Sequence, residues 1–287
     1  MKPPLFEYHV PASVDEAVEM LGGLENARLL AGGQSLMPML AMRFAFPDHL
    51  IDLNRIPAMA GITVEGGTLR VGAMTRQRDV LDSAVVRSRL PMLTEALALV
   101  GHRQTRNRGT VGGSLCHLDP AAELVAVAVA LGATLEIAGP RGRRTLPMAD
   151  FALGFMTPAL DPEEMLTGVR FPLPEAPHGA CFTEFARRHG DYAIVSAAAV
   201  LWPRDGRIER ASITLGGVGP VPVRLEAAEA GLAGQPGEAA AFAAAGACCD
   251  ALDPMDDALV PGWYRRRLAA TLVRRALATA WERADVG

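Results

Sequence analysis

Two short segments, Ala31-Gly32-Gly33-Gln34-Ser35 and Thr110-Val111-Gly112-Gly113-Ser114, constrain this chain more than any other feature. Each sets a glycine pair and a hydroxyl side chain ahead of a helical pattern. The first follows the apolar run Ala27 to Ala31 and precedes Leu36, Met39, Leu40 and Phe44, so it reads as strand, glycine turn, helix. The second also reads as a turn at a strand end. A glycine pair lets backbone approach a ligand, neighbouring amides can converge on it, and a helix start adds partial positive charge. Two such loops can share one anion of the diphosphate type, although a single pair more often only turns the chain.

The rest of the composition removes competing classes. With 287 residues the chain is long enough for two domains, and 50% hydrophobic against 21% charged residues exclude disorder as its main state. A net charge of -4 argues against nucleic acid as the principal partner. The longest apolar stretch, near Leu124 to Ala133, is shorter than the roughly 20 residues that span a bilayer, and Met1-Lys2-Pro3-Pro4 has no secretory pattern. The chain is therefore expected to be soluble and cytoplasmic. Cys116, Cys181, Cys248 and Cys249 include no C-x-x-C pair, so they read as reduced, packed thiols rather than metal or cluster ligands. Lys2 is the sole lysine, which excludes a G-x-x-x-x-G-K-S/T phosphate loop and a Schiff-base enzyme.

Periodicity supplies the framework. Ser13 and Glu16 form an S-x-x-E capping box ahead of a helix over 13–21, stopped by Gly22-Gly23. Strands are expected at 27–31, 50–53, 134–138 and 165–171, with a hairpin around Gly66-Gly67. Pro91 opens a helix closed by Gly101, and Asp119-Pro120 reads as cap and first residue of a helix through Leu131. Pro172, Pro174 and Pro177 place a domain boundary near 175. Beyond it, strands at 193–202 and 208–215 and helices at 225–233, 237–251 and 263–284 predict a small sheet covered by helices.

No G-x-G-x-x-G occurs, so a nucleotide cofactor would need a fold other than the ordinary dinucleotide-binding one. The pattern A-G-G-Q-S at 31–35 with R-N-R-G-T-V-G-G-S-L-C-H-L-D-P-A-A-E at 106–123 resembles the FAD-binding medium subunits of molybdenum hydroxylases. These include the aerobic carbon monoxide dehydrogenases, the N-heterocycle oxidoreductases and the xanthine dehydrogenase-like enzymes. Thr157-Pro158-Ala159-Leu160-Asp161-Pro162-Glu163-Glu164, Arg187 to Ala193, and Tyr264-Arg265-Arg266 extend the resemblance over nearly the whole chain.

The resemblance implies an α+β protein: an FAD-binding domain over 1–175, in subdomains of about 1–57 and 58–175, then a C-terminal flavoprotein domain over 176–287 with a small antiparallel sheet packed on helices. It implies that Ala31 to Ser35 and Thr110 to Ser114 wrap the FAD diphosphate with amides and hydroxyls. By the same carry-over Glu123 reaches ribityl or adenosine hydroxyls, Leu160 lines the cofactor cleft and Tyr192 covers the isoalloxazine. Phe155 departs from relatives that have tyrosine there. The implied role is electron transfer from [2Fe-2S] clusters through FAD to an external acceptor. Two such clusters sit in a small partner subunit and a molybdopterin cofactor in a large one, with a dimer of heterotrimers as the assembly. The alternatives are a stand-alone FAD oxidase or reductase of the same fold, and a flavin-free assembly subunit.

Other residues have plainer readings. His102, His117 and His189 lack paired carboxylates, Ser35 and Ser114 are not in G-x-S-x-G, and no catalytic residue or metal ligand is assigned. Arg103, Arg106 and Arg108 face either phosphates, a partner or solvent. Met37, Met39 and Met42 read as helix packing.

Overall fold

The computed structural model describes residues 2–284; Met1 and residues 285–287, the outer ends of the two expected domains, lie outside them. The first lobe alternates β1 (Glu7–His9), α1 (Val14–Gly23), β2 (Ala27–Leu30), α2 (Leu36–Ala41) and β3 (His49–Asp52). Its three strands form a parallel sheet in the order β1-β3-β2. The Ser13 hydroxyl accepts from the Glu16 amide as the capping box requires, and Val14, Ala17, Val18 and Leu21 turn inward.

The second lobe begins with the hairpin β4 (Ile62–Glu65) and β5 (Thr68–Gly72). Six helices follow: α3 (Gln77–Asp82), α4 (Ala84–Arg89), α5 (Pro91–Leu99), α6 (Arg103–Arg108), α7 (Val111–His117) and α8 (Glu123–Ala130). The chain then returns through β6 (Thr134–Gly139), β7 (Gly142–Pro147), α9 (Met148–Phe151), the small pair β8 (Ala152–Gly154) and β9 (Thr157–Pro158), and β10 (Met165–Pro172). The resulting five-stranded sheet is antiparallel throughout, in the order β4-β5-β10-β6-β7.

A third, four-stranded antiparallel sheet consists of β11 (Gly179–Phe185), β12 (Val195–Arg204), β13 (Arg207–Gly216) and β14 (Val223–Arg224). Helices α10 (Glu226–Leu232), α11 (Ala239–Ala247) and α12 (Gly262–Arg283) follow it. Strand β12 is apolar on both faces because both are covered. Val195, Ala197, Ala199 and Leu201 pack in the core with α12, whereas Ala198 and Val200 join the core containing α5 and α8. The first core therefore reaches past residue 175 to Ala180, Phe182, Ala198 and Val200.

Three local expectations are overturned. Gly112-Gly113-Ser114 is not a turn at a strand end; it forms the first turns of α7, capped by Thr110, after helix α6. Asp119-Pro120 does not start a helix either. The Asp119 side chain accepts from the Ala121 amide in a turn, and α8 begins at Glu123. Met37 and Met42 are exposed rather than packed, as are Phe44 and Phe46 beside them. All four cysteines are unpaired thiols, and burial pushes that of Cys116 up to about 12.

Candidate functional site

The first glycine segment leaves β2 and enters α2. Gly33 has φ +71°, in the left-handed region where a side chain is strained, and a Cβ there would lie 3.1 Å from Met37. Among the described residues no protein acceptor takes the amides of Gly32, Gly33, Gln34 or Ser35. Ser35 occupies the N-cap position of α2, yet its hydroxyl does not cap the helix. Four consecutive amides are thus left for a ligand at the start of a helix, the arrangement that favours an anion, and the Ser35 hydroxyl beside them reaches the Tyr192 phenol.

The second segment is built differently. Four of its five amides are already used: Val111 donates to the Thr75 carbonyl (3.0 Å), Gly112 to the Ala73 carbonyl (2.8 Å), Ser114 to the Thr110 carbonyl (3.2 Å). Gly113 donates to the Thr110 hydroxyl at 3.1 Å. The expectation of free amides is therefore corrected for Val111, Gly112, Gly113 and Ser114. Gly112 is glycine because a Cβ would meet the Ala73 Cβ at 2.6 Å, which permits α7 to lie directly on β5. What the segment offers a ligand is a helix start without side chains and the Ser114 hydroxyl.

The two segments touch. A Cβ on Gly32 would lie 2.9 Å from the Gly109 Cα and collide with the Arg108 carbonyl, and one on Gly113 would lie 3.6 Å from the Ala31 Cβ. A polar chain that no motif announced fixes this contact. Asn54 Nδ2 donates to the Ala31 carbonyl at 3.0 Å. Arg76 donates to the Asn54 amide oxygen at 2.5 Å and to the Arg108 carbonyl at 2.6 Å. Asp52 accepts from the Asn54 amide at 2.8 Å and from the Tyr8 hydroxyl. Burial acts to raise the Asp52 pKa, but the Tyr8 and Asn54 hydrogen bonds and Arg108 outweigh it and hold the carboxyl below its ordinary range. Arg76 and Asn54 thereby tie the first lobe's loop to the second lobe's helix.

Tyr192 leads from this cradle into a cleft of about 650 Å³ whose lining includes Asp119, Phe155, Arg187, Tyr192 and Arg265. Tyr192 is 57% exposed, yet protein atoms crowd its phenol, and burial first, then Asp119 and Glu123, push its pKa to about 12 while the Ser35 side chain opposes them. Leu160 is half-buried against the first core, and Phe155 is exposed.

Glu123, the first residue of α8, is buried. Burial chiefly, with Glu184 and Asp119 contributing, pushes its carboxyl up to about 8. Glu184 on β11 is also raised, to about 7, by burial. One Glu184 oxygen and the hydroxyls of Ser196 and Thr214 lack protein partners. The Glu184 charge adds to the burial that keeps Glu123 protonated. Nothing in the sequence linked two glutamates so far apart; the alternating inward face of β11 does.

Two lobes meet at a row of unpaired amides, Tyr192 lines the cleft beside it and a third sheet-and-helix unit follows, which defines a fold with an anion-binding site between its first two lobes. Residues 4–174 match the FAD binding domain in molybdopterin dehydrogenase, and residues 180–280 match the CO dehydrogenase flavoprotein C-terminal domain. The chain is 40% identical to the carbon monoxide dehydrogenase medium chain of Hydrogenophaga pseudoflava, over 99% of each chain. It is 37% identical to the nicotine 6-hydroxylase medium subunit of Paenarthrobacter nicotinovorans, over 99% of this chain and 100% of that one. Carbon monoxide dehydrogenase from Hydrogenophaga pseudoflava superposes with a TM-score of 0.96 at 42% identity, covering 99% of this chain and 100% of that chain. Quinoline 2-oxidoreductase from Pseudomonas putida 86 gives 0.95 at 37% identity, covering 98% and 99%. The chain belongs to the FAD-binding medium subunits of the molybdenum hydroxylases, and it carries their FAD-binding domain.

Proposed function

We propose that this chain is the electron-transfer subunit of a three-chain molybdenum hydroxylase, with one FAD held across its two N-terminal lobes. The observation that carries the proposal is the row of free amides at Gly32, Gly33, Gln34 and Ser35, held against the start of α7. In this assignment Ala31 to Ser35 bind the diphosphate through amides and the Ser35 hydroxyl. Thr110, Val111, Gly112, Gly113 and Ser114 close its other side, with Thr110 holding the turn and Ser114 contributing its hydroxyl. Glu123 binds cofactor hydroxyls, Leu160 excludes water from the cleft and Tyr192 covers the ring. The raised Glu123 carboxyl suits the role because it keeps a proton to donate at neutral pH. When bound, FAD would supply the redox chemistry between [2Fe-2S] clusters of a small partner and an external acceptor, and the residues of this chain would hold and orient it.

The division of labour among chains follows from the same assignment. The cofactor-binding and C-terminal units are taken as 1–175 and 176–287, and a large molybdopterin subunit and a small iron–sulfur subunit complete the complex, as a dimer of heterotrimers in the cytoplasm. Met37, Met42, Phe44 and Phe46, exposed together in one segment, support a partner-covered surface. No helix among the described residues is long and apolar enough to cross a membrane.

The experiment is recovery of the tagged chain from its native host with its companions, followed by anaerobic exposure to carbon monoxide and a panel of N-heterocycles. The expected result is two companion chains, one with molybdenum and one with iron, and bleaching of the flavin absorbance only in the complex. Bleaching of the isolated chain by the same compounds favours a self-contained oxidoreductase. Native chain without flavin favours an assembly subunit.

A further inference from the structure

On the side of the parallel sheet where β1 pairs with β3, three side chains converge that the FAD assignment does not use. Glu7 and His9 alternate on one face of β1, and His49 stands opposite Glu7 in the parallel register. His9 Nε2 lies 3.1 Å from His49 Nδ1. The Glu7 carboxylate lies 3.5 Å from His49 Nδ1 and 3.9 Å from His9 Nε2.

We propose that Glu7, His9 and His49 form a binding site for a divalent transition metal of the zinc type, whose metal pins the first strand of the chain to β3. Zinc bound by imidazole and carboxylate at roughly 2.0–2.1 Å in a tetrahedron sets neighbouring donor atoms about 3.3–3.4 Å apart. The three separations of 3.1, 3.5 and 3.9 Å straddle that value, so a shift of a few tenths of an ångström completes the triangle. Two imidazoles and one carboxylate suit zinc, copper(II), nickel or cobalt over calcium or magnesium, which prefer all-oxygen shells. Both histidines are half-buried and anchored on paired strands, and the Glu7 side chain is largely exposed, so the fourth position opens to solvent. Because 40 residues separate His9 from His49, a shared metal cross-links the chain's start to the lobe that bears the first glycine loop. The competing account is a plain imidazole–imidazole hydrogen bond, one ring donating and the other accepting.

The test uses the full chain, stripped with chelator and titrated with zinc and with cobalt(II), its flavin content recorded throughout. Expected are one zinc per chain at micromolar concentration and a rise in melting temperature of several degrees. Cobalt should give visible d–d bands without the near-ultraviolet band of thiolate ligation. His9→Gln and His49→Gln should each weaken zinc at least tenfold, the exposed Glu7→Gln severalfold, and none should change bound FAD. Millimolar-only binding, a thiolate band, or a Glu7→Gln chain that binds zinc as tightly as the parent overturns the proposal. The cobalt spectrum is read on the parent chain, so a histidine variant that folds poorly does not blunt the test. Absence of flavin from the parent chain with intact metal binding would count against the FAD assignment alone.

Discussion

Replacing Glu123 with glutamine should flatten the pH dependence of the flavin-free chain's stability. The carboxyl is buried and its pKa stands at about 8, against 4.5 for the ordinary group. Between those values the native chain binds the Glu123 proton more tightly than the unfolded one, so this group's contribution to stability is full below pH 4.5 and is lost as pH rises through about 8. One pKa unit corresponds to about 1.4 kcal/mol, and the interval from pH 6 to pH 9 spans about two units of the window, so Glu123 alone should cost the parent about 2–3 kcal/mol over that interval. Glutamine keeps the shape and cannot ionise. Urea unfolding at pH 6 and pH 9 should show a loss in the parent that exceeds the loss in Glu123→Gln by about that amount; Glu184 leaves both chains some slope. Equal losses in the two chains would refute the claim that this carboxyl is held protonated by burial.

Gly33→Val puts a branched side chain at φ +71° and into the row of free amides, and should abolish FAD binding; stoichiometric flavin in the purified variant would contradict the cradle. Arg76→Gln removes the hydrogen bond to Asn54 that joins the lobes and the one to the Arg108 carbonyl that supports it, worth about 1–3 kcal/mol together, and should weaken FAD by roughly tenfold by equilibrium titration while Glu123's pH effect persists. Tyr192→Ala should retain FAD but shift its visible spectrum and midpoint potential. An unchanged spectrum and potential with a clear loss of melting temperature would show that the tyrosine only packs.

The parts of the fold that were legible in the sequence are those governed by local chemistry. Ser13 with Glu16, Pro91, and the hairpin around Gly66-Gly67 appear where caps, proline and glycine placed them. Asp119-Pro120 misled because an aspartate that closes a turn and one that caps a helix look alike in one dimension, and the competing turn won. Gly112-Gly113 looked like a second loop with free amides because glycine signals close approach without saying to what. Here the close neighbour is Ala73, just past the end of β5, and the amides are spent on Ala73 and Thr110. Tertiary pairs were invisible for a simpler reason. Asn54 with Arg76, and Glu123 with Glu184, lie far apart in sequence and belong to no short motif, and only the meeting of lobes and the inward face of β11 bring them together.

The most direct test of the central claim is the flavin content of the native chain, measured by absorbance and by release on denaturation. One noncovalent FAD per chain, lost in Gly33→Val and retained in Tyr192→Ala, is the predicted result. A well-folded native chain that carries no flavin and takes up none when titrated with FAD would contradict it.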